Sequence, residues 1–141
     1  MIVRPPQAAD FEPVRALLDG AGLPTADLVV THIAFVADEG GAPVGAIGLE
    51  HFGDCGLLRS LVVAPSARSG GIGRKLVAAL EQHAQALGET ELWLLTIDAD
   101  GYFAGHGYAL RRRDEAPASI RKTAEFSGLC PGHAVLMSKR L

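Results

Sequence analysis

The residues best suited to chemistry cluster in one turn between an apolar run and a helix-like segment. Residues 57–63 are apolar and β-branched, which predicts a buried strand, and the turn after them holds Arg68, Gly70, Gly71 and Gly73. Because glycine has no side chain, an anion can approach the backbone closely. The first N–H groups of the following helix point outward, and the helix dipole favours negative charge there. The turn is therefore suited to hold a diphosphate.

The spacing of the turn differs from the two best-known phosphate-binding loops. The nucleotide P-loop ends in Gly-Lys-Ser/Thr, whereas Gly73 is followed by Arg74 and Lys75. The dinucleotide fingerprint requires G-x-G-x-x-G and an acidic residue about 20 positions later. The spacing present is Arg68-x-x-Gly71-x-Gly73. On these residues alone, an anion-binding turn and an ordinary glycine-rich turn remain equally good interpretations.

Length and composition exclude several classes of protein. A chain of 141 residues predicts one domain over 1–141, and 48% hydrophobic with 21% charged residues excludes a disordered chain. A net charge of −3 gives no footprint for nucleic acid. Apolar runs are too short for a membrane helix, and a strand-like start at Ile2 leaves no room for a signal peptide. We expect a soluble, cytoplasmic protein that binds neither nucleic acid nor membrane.

Cysteine and histidine usage argues against a metal site. The chain has two cysteines, Cys55 and Cys130, which are too few for a disulfide framework or a tetrahedral zinc site. The five histidines show no metal-ligand spacing. Both cysteines are predicted to be small, partly buried thiols, and no metal is expected.

The elements around the turn follow an α+β pattern. A helix capped by Asp10 is predicted to end at Gly20 or Gly22, and Thr25 is a candidate cap for a short second helix. A further short helix is expected after Asp98 or Asp100. Strands are predicted at 2–4, 33–37, 44–51, 57–63, 91–97, 110–113 and 134–139, and further helices at 72–87 and 117–126. Because a helix connects them, strands 57–63 and 91–97 should be parallel, joined by a right-handed crossover.

The R-x-x-G-x-G spacing resembles the acetyl-coenzyme A signature of the GNAT acetyltransferase superfamily. The opening R-P-P-Q-A-A-D-F-E-P-V-R-A-L-L and the segment Y-F-A-G-H-G-Y are also similar to elements of that superfamily, and the likeness runs from Ile2 to Met137. L-L-R-S-L-V-V-A-P and the tail A-P-A-S-I-R-K-T-A-E-F-S-G-L-C-P-G-H-A-V-L-M resemble the N-acetylglutamate synthase-like branch. Within it, small arsenic-resistance-associated N-acetyltransferases are the nearest likeness. The resemblance implies a three-layer α/β/α fold whose mixed, mostly antiparallel sheet has a parallel, splayed central strand pair and helices on both faces.

The resemblance also implies where acetyl-coenzyme A would bind. The cofactor would lie between the splayed strands and pair with the backbone as an added strand. The backbone concerned is Leu61, Val62 and Val63, and Val62 is our candidate oxyanion donor. Phe103 would lie near the thiol end. The diphosphate cradle would consist of Arg68, Ser69, Gly70, Gly71, Ile72, Gly73 and Arg74, although Arg74 is equally well explained as a solvated first-turn residue.

Two departures from the family pattern concern the general acid and base. Phe103 stands where the family usually has a tyrosine that acts as the general acid and protonates the leaving thiolate. Tyr102 comes one residue earlier, where a helix turns it by about 100°, so we expect it to pack in the core. Leu57 stands where some members carry a carboxylate base. Glu50 on the neighbouring strand is the alternative base or amine contact, and an ordinary exposed strand residue is its competing interpretation.

The acceptor amine requires a binding site as well. A charged residue within L-L-R-S-L-V-V must leave the core, form an ion pair or face a cleft, and we place contact with an acceptor carboxylate by Arg59 ahead of an ion pair. Ser60 belongs to the opposite face of the strand by its alternation, and we expect it to approach the acceptor only where the strand bulges. Thr96 and Arg121 are further candidate acceptor contacts, whereas the run 111–113 is interpreted as a solvated edge strand.

These patterns predict an acetyl-coenzyme A-dependent N-acetyltransferase acting on a small amino-acid-like acceptor. Transfer is direct within a ternary complex, because neither cysteine lies in an activating motif. The alternatives are acetylation of a peptide or protein amine, and a non-catalytic acyl-coenzyme A sensor. A homodimer could form through the apolar strand at 134–137.

Overall fold

Runs of β-branched and alternating apolar residues form the strands of one mixed sheet. The computed structural model describes residues 1–129 and 133–141. Its seven strands are β1 Ile2–Arg4, β2 Ile33–Glu39, β3 Ala42–Phe52, β4 Cys55–Val63, β5 Glu91–Thr96, β6 Ala109–Arg111 and β7 Val135–Arg140. Their hydrogen-bonded order is β1-β2-β3-β4-β5-β7-β6. The predicted mixed fold is confirmed, because β4 and β5 are parallel and the other described pairings are antiparallel.

The α-helices of the described residues are α1 Phe11–Gly20, α2 Ile72–Ala86, α3 Asp100–Ala104 and α4 Ala118–Arg121, and a π-helical turn follows at Glu125–Leu129. The two longer helices, α1 and α2, follow the apolar periodicity of the sequence. Gly88 has a φ of +90° just beyond α2, as expected of a helix-terminating glycine. Within the described residues, no helix has the length and apolar character needed to cross a membrane.

The first of two compact units comprises residues 1–50 and 58–83. Gly40 and Gly41, with φ of +65° and +90°, form the tight turn that joins β2 to β3, a conformation that suits a two-residue hairpin. Apolar side chains from α1, the following loop and the strands form its core. They are Val14, Leu18, Leu28, Ile33, Val36, Ala46 and Val62.

The second unit comprises residues 51–57 and 84–141. In it, Cys55–Leu57 of β4 pair in parallel with Glu91–Trp93 of β5, and β7 lies between β5 and β6. Its core consists of Cys55, Leu57, Trp93, Ala116, Ile120 and Leu136. The splay of the parallel pair and the assignment of 1–141 to one domain stay predictions.

The position of β7 corrects one expectation about assembly. Residues 134–137 were expected to offer a free edge for a homodimer. In the structure Met137 of β7 pairs with Leu94 on one side and with Leu110 on the other. Because both of its hydrogen-bonding edges are used, β7 cannot pair across a dimer, and that argument for a homodimer is wrong.

Three local predictions are also wrong. Thr25 caps no α-helix, because its hydroxyl donates to Asp19 and a 3₁₀ turn at Val30–His32 follows instead. Neither predicted aspartate caps α3; Ala99 precedes the helix, and its N–H donates to the Thr96 hydroxyl at 3.1 Å. The single helix expected at 117–126 is replaced by α4 and the π-helical turn.

Candidate active site

The turn before α2 has the geometry expected of an anion cradle. Ser69 and Gly71 have φ of +78° and +76°, so the backbone bends in the left-handed region on either side of Gly70. The first helical hydrogen bond runs from the Lys75 N–H to the Gly71 carbonyl at 3.2 Å. The three N–H groups before Lys75 therefore belong to the free N-terminal turn of the helix. A Cβ on Gly71 would meet nothing within 4 Å, so there is open space beside this backbone.

Two arginines flank this turn. Arg68 is exposed, and its Nε donates to the Val63 carbonyl at 3.2 Å, so the side chain folds back over the end of β4. Arg74 is exposed on the first turn of α2, whereas the neighbouring Ile72 is buried and anchors the helix. Positive charge thus lies close to the outward-facing N–H groups, an arrangement that favours a phosphate-bearing ligand.

Strand β4 leaves regular extended geometry at Ser60. Its φ of +60° is in the left-handed region, which is unusual for a residue other than glycine within a strand and marks a local distortion. Beyond it, Val62 is buried while Leu61 and Val63 are half-buried. A Cβ on Gly45 would lie 3.0 Å from the Val62 carbonyl, so β3 approaches β4 closely at this point.

A buried ion-pair cluster surrounds Arg59, directly before the distortion at Ser60. The side chain of Arg59 is fully buried. Its Nη1 and Nη2 each donate to one oxygen of Asp27 at 2.7 Å, Nη1 also donates to Glu50 Oε2 at 2.9 Å, and Nε donates to the Ser60 hydroxyl at 3.2 Å. Hydrogen bonding to Arg59 holds the pKa of Asp27 below its ordinary value. The Asp27 carboxylate therefore stays ionised at neutral pH.

The same cluster contains a histidine. The Nδ1 of His32 lies 3.3 Å from Arg59 Nη1, and one ligand atom each from Asp27, His32 and Glu50 lies within 4.8 Å of the others. That spacing resembles a metal site. However, Arg59 Nη1 already contacts all three side chains and fills the position of a cation. These residues do not fit a metal ion, because it would lie beside the guanidinium charge.

The cluster corrects the interpretation of two predicted residues. Arg59 was expected to bind an acceptor carboxylate, but carboxylates of the chain itself occupy its donors, so the ion-pair alternative is the one that the structure supports. Glu50 is half-buried and paired rather than an ordinary exposed residue. Sequence reasoning missed Asp27 and His32. They are the two ionisable residues of the stretch 23–32 before β2, which is a weak signal that is visible only in retrospect.

The remaining candidates lie in the second unit. The Thr96 hydroxyl accepts the hydrogen bond from Ala99 that orders the turn before α3, and Arg121 is exposed at the end of α4. Phe103 is buried, with its ring 5.7 Å from that of Tyr108 in an edge-to-face contact. Tyr102 was expected in the core but is 44% exposed and lies against His106. The two consecutive residues face different directions, as predicted, but Phe103 is the buried one and Tyr102 the exposed one.

Cys55 is not an activated nucleophile. Cys55 is buried, and burial raises the pKa of its thiol, which therefore stays protonated at neutral pH. Its Sγ lies 3.5 Å from the Ser119 hydroxyl. Cys130 lies outside the described residues.

Comparison with known proteins defines the class. Residues 9–111 match the model of the Acetyltransferase (GNAT) family, and the chain belongs to that family. The predicted superfamily and fold are thereby confirmed.

The chain is similar to two curated proteins of known name. The chain is 30% identical over 95 residues to the amino-acid acetyltransferases of two Neisseria meningitidis strains, a match that covers 66% of this chain and 22% of each relative. It thus spans about a fifth of the length of these curated relatives.

Solved structures share the fold. The N-acetylglutamate synthase of Neisseria gonorrhoeae, solved with coenzyme A and N-acetyl-glutamate, superposes with a TM-score of 0.85 at 24% identity over 99% of this chain and 35% of its own. Rv2747 from Mycobacterium tuberculosis, solved with coenzyme A, gives 0.84 at 23% identity over 100% of this chain and 99% of its own.

Proposed function

We propose that this protein transfers the acetyl group of acetyl-coenzyme A to the amine of a small amino-acid-like acceptor. The observation that carries the proposal is the left-handed turn at Ser69 and Gly71, open beside its backbone and leading into α2, in a chain of the Acetyltransferase (GNAT) family. The relatives named as amino-acid acetyltransferases support a free amino acid as acceptor. Likeness to arsenic-resistance-associated enzymes, a cytoplasmic location and a homodimer belong to the same proposal.

The cofactor would be held by two groups of residues. The turn from Arg68 to Arg74 would bind the diphosphate through its N–H groups and guanidinium charges. The backbone of Leu61, Val62 and Val63 would pair with the pantetheine arm, with Phe103 near its thiol end. The N–H of Val62 would stabilise the oxyanion that forms when the amine attacks the thioester carbonyl.

Glu50 is the group that would prepare the amine. Its Oε2 accepts from Arg59, whereas Oε1 makes no hydrogen bond within the described part of the chain. That oxygen would take a proton from the acceptor ammonium, directly or through water, and so release the lone pair that attacks. The departing thiolate would take its proton from water, since a free thiol has a pKa near ~8.5. Ser60, Thr96 and Arg121 are proposed to contact the acceptor, and Arg59 acts by positioning Glu50.

A turnover assay tests the proposal. The purified protein is mixed with acetyl-coenzyme A and each free L-amino acid in turn, and thiol release is measured with the corresponding dipeptides as comparison. Release with free amino acids but not with dipeptides is expected. Release with dipeptides alone would favour the peptide-acetylating alternative. Tight cofactor binding without release from any amine would favour the sensor.

A pair of glycine variants tests the cradle. Gly71→Val places a β-branched side chain where the cofactor would approach, whereas Gly88→Val introduces the same kind of strain at the other end of α2. Both variants should lower the melting temperature, but only Gly71→Val should weaken coenzyme A binding, by at least about tenfold. Equal affinities in a calorimetric titration would refute the assignment of the turn.

A further inference from the structure

The hydrogen bonds of Arg59 make Asp27 the residue that orients its guanidinium. Asp27 Oδ2 accepts from Nη1 and Asp27 Oδ1 accepts from Nη2, each at 2.7 Å, and a two-bond contact between planar groups fixes their relative orientation. The second hydrogen of Nη1 goes to Glu50 Oε2 at 2.9 Å. The direction from which Arg59 holds Glu50 is therefore set by the carboxylate of Asp27.

Asp27 also balances the charge of Arg59. The side chain of Arg59 is completely buried, so water screens its charge only weakly. Hydrogen bonding to Arg59 holds the pKa of Asp27 below its ordinary value, so the negative charge is present at neutral pH. Glu50 thus contacts a guanidinium that is already paired with an anion. Without that anion the charge of Arg59 would act on Glu50 alone, and a carboxylate beside an unbalanced cation binds a proton less readily.

Local contacts hold Asp27 in place within the loop before β2. The next residue, Leu28, is buried in the core of the first unit, and its N–H donates to the Thr25 carbonyl at 3.0 Å. The Thr25 hydroxyl donates in turn to Asp19 at the end of α1, at 2.7 Å. The backbone therefore presents Asp27 to Arg59 from a fixed position.

We infer that Asp27 is a positioning residue for the acetyl transfer, acting through Arg59 to orient Glu50 and to keep it basic enough to accept a proton from the acceptor ammonium. The inference rests on the proposed function and deepens it, because it gives the proposed base a support that comes from a different part of the chain. The other polar side chains that contact the guanidinium are Ser60, at 3.2 Å from Nε, and His32, at 3.3 Å from Nη1.

The pH profile of turnover tests this role. We would measure kcat/KM for the amino acid that turns over fastest, from about pH 5 to about pH 9, in wild type, Asp27→Asn, Asp27→Glu and Asp38→Asn. On the acidic limb of the profile the rate falls as the base becomes protonated. Asp38→Asn is the matched control, because Asp38 is also a half-buried aspartate of the first unit, and its ion pair is with Arg4.

The expected result is a displaced acidic limb. Asp27→Asn should move the limb to lower pH, on the order of one unit, because Glu50 then faces an unbalanced cation. Its kcat should fall at least about threefold, because a weaker base takes a proton more slowly. Asp27→Glu keeps the charge and should return the limb toward its wild-type position, and Asp38→Asn should leave it there.

The outcomes separate the inference from the proposed function. A limb that stays in place in an active Asp27→Asn enzyme, or that moves equally in Asp38→Asn, would overturn the inference alone. A wild-type protein that releases no thiol with any amine would remove the proposed function and the inference together. Because His32 can also titrate beside the guanidinium, the shift caused by Asp27→Asn should persist in the His32→Asn background. Loss of the shift there would assign the limb to His32 and contradict the role of Asp27.

A measurement on the unmodified protein keeps the inference testable if Asp27→Asn fails to fold. In ¹H–¹⁵N spectra, a fixed guanidinium gives separate Nη1 and Nη2 signals, whereas a guanidinium that rotates about its Nε–Cζ bond gives one averaged signal. Arg59 should give separate signals at neutral pH. One averaged signal would show that Asp27 does not fix the guanidinium and would overturn the inference.

Discussion

Arg4 and Asp10 form another ion pair of the first unit, separate from the cluster around Arg59. Asp10 is buried, and its two oxygens accept from Arg4 at 2.7 and 3.0 Å, while the Gln7 N–H donates to one of them at 2.7 Å. The hydrogen bonds from Arg4 lower the pKa of Asp10, and that of Gln7 adds to the effect, although burial opposes it. The pair fastens the end of β1 to the start of α1.

Because the pKa of Asp10 is lower in the folded protein, its stabilising effect depends on pH. The effect is fully present above the unfolded pKa of about 3.9 and disappears as the pH falls through the folded pKa. Asp10→Asn should therefore lower the melting temperature at pH 7, on the order of 5 °C, with the gap from wild type closing below about pH 4. Melting curves from pH 7 to pH 3 measure it.

Asp114→Asn is the matched control, because Asp114 pairs with Arg112 while both side chains are largely exposed. This substitution should leave the melting temperature nearly unchanged at every pH. A gap for Asp10→Asn that stays constant down to pH 3 would show that the carboxylate charge does not stabilise the fold.

Residue chemistry explains why the ion-pair cluster was only half predictable. A charged side chain in an apolar strand requires a partner of opposite charge. The sequence therefore indicated either an ion pair or a bound ligand for Arg59. Its partners come from a neighbouring strand and from a loop 27 to 32 residues away along the chain. Such distant pairings depend on the conformation of the loop before β2, which local sequence patterns do not determine.

At the scale of elements, glycine positions show where backbones must come close. Gly48 lies on β3 opposite Ile33, and a Cβ there would meet the His32 carbonyl as well as Arg59. A backbone oxygen cannot swing aside as a side chain can. Gly48→Ala should therefore lower the free energy of unfolding by about 1–3 kcal/mol, measured by urea denaturation.

Gly101→Ala is the control for this substitution. Gly101 lies within α3, and a Cβ there would meet nothing within 4 Å. Alanine favours a helix over glycine by up to about 1 kcal/mol, so this variant should be neutral or slightly more stable. Equal stability changes in both variants would mean that the close approach at Gly48 carries no energetic weight.

Elements with strong periodicity were predicted well, whereas the segment after Ala116 was not. The apolar stripes of α1 and α2 and the β-branched run of β4 bury enough surface to dictate their own conformation. The segment after Ala116 lacks such a stripe. Its conformation is set by contacts with the core of the second unit, where Ile120 is fully buried, and it forms a short α-helix and a π-helical turn.

At the scale of the whole molecule, strand order was the feature that local patterns could not supply. The parallel pairing of β4 and β5 follows from the helix between them, whereas nothing local determines that the last strand inserts between β5 and β6. That insertion depends on long-range pairing and on the apolar face of β7, where Leu136 and Met137 are almost completely buried. Expecting the last strand at an edge was therefore a reasonable error.

The insertion of β7 makes a prediction about the distribution of stability. The amides of Leu136, Met137 and Ser138 lie in a strand that is paired on both sides, and their exchange with solvent requires disruption of the sheet. Site-resolved hydrogen exchange should therefore place them among the slowest amides. Leu110 of β6 is 62% exposed on a strand at the end of the sheet order and should exchange faster. Exchange in β7 as fast as in β6 would contradict the inserted position and revive the edge-strand route to a homodimer.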